Sequence, residues 1–82
     1  MSATEDIRTS AHLFGWDQHT TPDRHDILIK GDEMVDVLYG ADGTVLAAEL
    51  YWFYSVDNLQ LRDRVTTRHK KQTVLSWLAE AS

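Results

Sequence analysis

Three histidines, His12, His19 and His25, alternate with Asp17, Asp23 and Asp26 in the first third of the chain, and such residues can ligate a metal or pass a proton. Zinc sites legible in sequence usually place two ligands within one turn or hairpin, so that a local fold sets their separation. Here the histidines stand seven and six positions apart, a spacing with no such geometry, and the expectation is solvated side chains and no metal. A histidine–carboxylate pair could still move protons. No activated nucleophile, glycine-rich phosphate loop or oxyanion signature accompanies it, so no catalytic residue and no cofactor is expected. The chain has no cysteine, which removes thiolate chemistry and disulfides and fits a reducing cytoplasm.

The second candidate group is basic: Arg62, Arg64, Arg68, Lys70 and Lys71, with His69 among them. Such a set can grip phosphates, yet the net charge is -5 and the pI near 5.1, opposite to the usual nucleic-acid footprint. The charge is also uneven. Residues 1–57 hold eleven Asp/Glu against three Lys/Arg, and residues 58–82 hold two against five, giving -8 and +3. That asymmetry suits steering toward an acidic protein surface better than general phosphate binding. A nucleic-acid-binding regulator using these five residues is the alternative reading.

The third group is the aromatic run Tyr51-Trp52-Phe53-Tyr54. In a strand, Trp52 and Tyr54 point one way and Tyr51 and Phe53 the other. Tyr51 and Phe53 are the outward pair, expected opposite Arg64 and Arg62 respectively as cation–π partners. These four residues are the candidate protein-binding set.

The elements that position these groups read as α+β: a four-stranded antiparallel meander with N- and C-terminal helices, in the order α-β-β-β-β-α, within one domain over residues 1–82. Ser2-Ala3-Thr4-Glu5 has the capping-box pattern, and Ala3, Ile7, Ala11 and Phe14 form one stripe of a helix over about residues 4–14. Gly15 is its expected left-handed stop, with Trp16 folding back on the last turn. Residues 17–25 are polar, hold the only proline, and read as a loop. Strands are expected at residues 27–30, 33–39, 44–56 and 59–65. Gly31-Asp32 suits a type II′ hairpin, Gly40 to Gly43 a four-residue loop, and Asp57-Asn58 a two-residue turn.

Those turns pair Tyr39 with Thr44, Val37 with Leu46, Val35 with Ala48, Leu50 with Val65, and Tyr54 with Leu61. One apolar face results, with Trp52 in its core. A helix over residues 46–54 competes because Ala47-Ala48-Glu49-Leu50 are good helix formers, but the aromatic run and the alternation of residues 59–65 favour strands. Thr67 is the expected cap of a last helix to about Ala81, with Val74, Leu75, Leu78 and Ala81 inward.

The opposite face carries Ile27, Ile29, Met34, Leu38, Val45, Ala47, Tyr51 and Phe53 in this register, too much apolar surface to leave wet. Either the helices divide between the faces or a second subunit covers one. No apolar run approaches the roughly 20 residues of a membrane span, and residues 1–10 lack the basic-then-apolar order of a signal peptide. A soluble, cytoplasmic protein is expected, with no membrane partner.

Gly15-Trp16, Arg24-His25-Asp26-Ile27, Lys30-Gly31-Asp32, Val35-Asp36-Val37-Leu38-Tyr39 and Asp42-Gly43-Thr44-Val45-Leu46-Ala47 resemble a pattern in small orphan proteins of actinobacteria and their phages. The resemblance covers roughly residues 11–48. It implies an actinobacterial or phage setting and transfers no catalytic residue. Taken together, the expectation is a non-enzymatic protein-interaction module, binding a host protein or itself as a homodimer.

Overall fold

A computed structural model describes residues 2–80. Helix α1 spans Ala3–Leu13. Ser2 caps it, its hydroxyl accepting from the Glu5 amide at 3.2 Å, and Glu5 and Asp6 place negative charge in the first turn where the helix dipole favours it. At the other end the Trp16 amide donates to the Ala11 carbonyl and the Gly15 amide to that of His12. This is the Schellman pattern, and it needs Gly15 at φ +82°. Trp16 is buried, but its indole N–H donates across the molecule to the Leu78 carbonyl at 3.1 Å.

The sheet has five antiparallel strands in sequential order, not four. They are β1 (Asp17–Thr20), β2 (His25–Lys30), β3 (Glu33–Tyr39), β4 (Val45–Ser55) and β5 (Asn58–Val65). The segment 17–25, expected as loop throughout, supplies β1, an edge strand exposed at every position. Its side chains show no alternation because neither side is covered; only backbone pairing to β2 makes it a strand. The aromatic run lies in β4 as a strand, as expected.

The Gly31-Asp32 hairpin sets Lys30 opposite Glu33, with Gly31 alone at positive φ, as type II′ requires. Two other registers differ from the expected ones. Val35 faces Leu50 and Val37 faces Ala48, while an irregularity beyond Leu38 pairs Tyr39 with Val45. This two-residue slip keeps Val35, Val37, Ala48 and Leu50 inward. The irregularity turns Val45 inward and leaves Leu46 48% exposed.

Between β4 and β5, Ser55 pairs with Asn58, so Val56-Asp57 is the turn. Val65 faces Ala48, but beyond an irregularity Leu61 faces Tyr51 and Leu59 faces Phe53. Arg62 absorbs the extra position. Leu59 and Leu61 therefore join the side of Tyr51 and Phe53, opposite to expectation, because an odd slip reverses every side chain.

Helix α2 spans Lys70–Glu80. It starts three residues after Thr67; His69, at φ +57°, precedes it and accepts the Thr73 amide through its carbonyl. Val74, Trp77 and Leu78 are buried and Leu75 only half-buried, so the inward stripe includes Trp77 and excludes much of Leu75. Ala81, expected to end that stripe, lies outside the described residues.

Ile7 and Ala11 from α1, and Val74, Trp77 and Leu78 from α2, share one cluster with Leu28, Val35, Val37, Tyr39, Val45, Ala48 and Leu50. Both helices thus cover the same side of the sheet. Two polar links add to this layer: Lys71 pairs with Asp6 between the helices, and Thr4 donates both its amide and hydroxyl to the Gly43 carbonyl. No described helix is long and apolar enough to cross a membrane.

Candidate functional site: the uncovered sheet face

Opposite the helices, cross-strand pairing lays side chains out in rows. His19, Ile27, Asp36, Glu49 and Arg64 stand successively opposite one another across β1 to β5. The neighbouring row runs Asp17, Ile29, Met34, Tyr51 and Leu61, and Phe53 with Leu59 extends its apolar end. Leu59 and Leu61 are 43% and 45% exposed. One row is charged and the next is greasy.

Asp36 and Glu49 face each other directly, an arrangement unfavourable for two carboxylates alone. Each has its own nitrogen partner. His25 Nδ1 lies 2.7 Å from Asp36 Oδ1, and Arg64 donates from Nε to Glu49 Oε2 at 2.8 Å. The Tyr51 hydroxyl donates to the other Glu49 oxygen at 2.9 Å. Burial works to raise the Glu49 pKa, but the hydrogen bonds from Arg64 and Tyr51 prevail and hold it below the usual carboxylate range. Burial and the bond to Glu49 push the Tyr51 phenol up to about 12.

The hydrogen bond to Asp36 raises the His25 pKa. A histidine raised in the folded state stabilises fully below its unfolded value, near 6.5, and that stability is lost as pH rises through the folded value. His25→Gln should therefore be less stable than wild type at pH 5.5 by about 1 kcal/mol, the net worth of a partly exposed charged hydrogen bond. The deficit should shrink on the alkaline side, as urea melts at about pH 5.5 and about pH 9 would show. A deficit independent of pH would mean that the charged pair contributes nothing.

The expected sites are dispersed. Tyr51 and Phe53 share the open face with Arg64, but Arg64 engages Glu49. Arg62 lies on the helix side, its guanidinium 3.9 Å from the Trp52 ring centroid and its Nη1 2.6 Å from Glu33. The expected Phe53–Arg62 and Tyr51–Arg64 pairings therefore give way to Trp52–Arg62 and Glu49–Arg64, a consequence of the Arg62 irregularity. Of the five basic candidates, Arg62, Arg64 and Lys71 have carboxylate partners. Arg68 and Lys70 have no ion pair among the described residues.

His12 and His19 are exposed. Among the described residues, no three His, Asp or Glu side chains are placed to hold a metal ion. The His25–Asp36 pair, missed in sequence, spans eleven positions; cross-strand register alone reveals it. It borders a shallow depression of about 90 Å³ with Glu49, Leu38 and Ala47, well below the usual 300 Å³ or more of a small-molecule site. The arrangement sets an apolar row beside a row whose carboxylates are hydrogen-bonded within the chain. Comparison of the chain with protein families, curated proteins and solved structures finds no match.

Proposed function

We propose that this chain is a non-enzymatic protein-interaction module whose uncovered sheet face docks against a second copy of itself, forming a two-sheet sandwich. The observation carrying the reading is that both helices pack on one side, leaving Leu59 and Leu61 exposed and Ile29, Tyr51 and Phe53 half-buried around a buried Met34 on the other. Contiguous apolar surface of this kind marks contact sites. A small domain also has little core of its own and gains from sharing one.

Three features favour self-association. The molecule measures 32 × 24 × 23 Å, so its broadest face is comparable with the roughly 800 Å² per partner of a standard stable interface. Asp36, Glu49 and Arg64 on this face are partnered within one copy, so the only charge left on it among the described residues, Asp17, stands at the β1 edge. The edges are protected: β1 has four residues, and β5 carries an irregular register and the consecutive charges Arg62-Asp63-Arg64, devices that discourage edge pairing. An actinobacterial or phage setting belongs to the same proposal through the resemblance over residues 11–48.

Tyr51→Lys or Phe53→Glu should give a folded monomer, because a charge buried without a partner at an interface is costly. Sedimentation velocity at high micromolar concentration reads the result, with circular dichroism confirming the fold. A wild-type chain that stays monomeric there overturns the reading. So does submicromolar oligonucleotide binding at physiological salt that is abolished by Arg62→Ala with Arg64→Ala, the outcome a nucleic-acid regulator requires.

A further inference from the structure

A cleft of about 300 Å³ opens at one end of the sheet, between α1, the β1–β2 turn and the β3–β4 loop. It is separate from the uncovered face. Arg8, Arg24, Thr4 and Tyr39 line it, with the Gly40 to Gly43 loop forming one wall. Its size lies at the lower end of small-molecule sites.

Arg8 and Arg24 line this cleft, and the carboxylates nearby, Asp23, Asp26 and Asp42, are not among its lining residues. Arg8 gives Asp26 its Nε and Nη2, at 2.9 and 3.1 Å, and Nη2 also lies 3.4 Å from the Thr20 hydroxyl, leaving its Nη1 without a hydrogen-bond partner among the described residues. Arg24 is exposed and has no ion pair among the described residues; the turn holds it at φ +67°. On the two flanking loops the Asp23 carboxylate is held by the Thr21 hydroxyl and that of Asp42 by Thr44, so neither pairs with Arg8 or Arg24.

Tyr39 supplies an independent indication. The residue is 5% exposed, and its hydroxyl is buried without a hydrogen-bond partner. Its nearest acceptor is the Asp26 carboxylate, which it meets only in loose geometry, outside ordinary hydrogen-bond limits. Burial, then the Asp26 charge, pushes its ionisation upward, so it remains a neutral donor. A buried polar group left unpaired is rare and often marks an unfilled acceptor position.

We infer that this cleft binds a small organic anion through one carboxylate or phosphate group, with Arg24 and the free Arg8 nitrogen gripping the oxygens and the Tyr39 hydroxyl donating to the ligand. Arginine suits this role because its fork matches either group.

The test is an NMR titration of the ¹⁵N-labelled chain with acetate and, separately, with inorganic phosphate at constant ionic strength. Saturable shifts should centre on the amides of Arg24, Ala41 and Gly43, and the tighter probe identifies the group recognised. Arg24→Gln changes an exposed residue and should weaken binding about tenfold, the loss of one charged contact. Tyr39→Phe keeps the ring packing and should weaken it several-fold. Shifts that do not saturate with either probe, or an affinity unchanged in either variant, overturn the inference.

Discussion

Trp77→Ala is expected to destabilise the protein by about 3–5 kcal/mol, the usual cost of emptying a core site filled by a large aromatic. Trp77 is 8% exposed and lies in the cluster that joins α2 to α1 and the sheet. Stability of small domains totals about 5–15 kcal/mol, so this loss would remove much of it and lower the Tm by tens of degrees. Trp52→Ala provides the contrast. Trp52 is only half-buried and lies beneath the Arg62 guanidinium, so its truncation should cost about 1–2 kcal/mol, from partial burial and one cation–π contact. Thermal and urea melts of both variants check the order. A greater loss from Trp52 than from Trp77 would contradict the described core.

Arg8→Met should cost about 2–4 kcal/mol at pH 7, because it strands a buried carboxylate. Asp26 has no exposure and accepts from Arg8 and, at 2.7 Å, from the Thr20 hydroxyl. The range sits slightly below that of a sealed pair because the Arg8 side chain is 40% exposed, and its removal would admit water. Burial opposes ionisation of Asp26, but the bonds from Arg8 and Thr20 hold its pKa below the usual carboxylate value. A carboxylate lowered by folding stabilises fully above its unfolded pKa, near 3.9, and that stability is lost as pH falls through the folded value. The deficit of Arg8→Met should therefore be largest at pH 7 and smaller at pH 3. Equal deficits at both values would rule out the ion pair as the cause.

The candidate sites show where sequence reasoning stops. Tyr51 and Phe53 were legible as outward residues because alternation along a strand is a local property. Their neighbours were not. Leu59 and Leu61 change sides through the irregularity at Arg62, and nothing in the alternation of residues 59–65 marks that position. The Arg8–Asp26 pair joins residues 18 positions apart, a distance at which no helical or hairpin periodicity acts, and His25–Asp36 is a diagonal pair across the Gly31-Asp32 hairpin that a strand beginning only at Ile27 leaves out. The cleft, likewise, is built from α1 and two loops that meet only in three dimensions.

By itself the sequence determined what short-range sterics and hydrogen bonding decide. Ser2 and Gly15 bound α1, Gly31 sets the first central hairpin, and two-residue alternation makes Val35, Val37, Ala48 and Leu50 an inward set. Tertiary structure alone decided that Asp17–Thr20 pairs as a fifth strand, that Trp77 enters the core, and that both helices cover one face. Those outcomes depend on which apolar surfaces find each other after the local elements form. Burial is nearly indifferent to direction along the chain, so either face of the sheet could have satisfied the helices. Ile7 and Ala11 of one helix and Val74, Trp77 and Leu78 of the other share a single cluster with one sheet face, tied further by the Trp16–Leu78 and Lys71–Asp6 contacts, and this leaves Tyr51 and Phe53 on the open side.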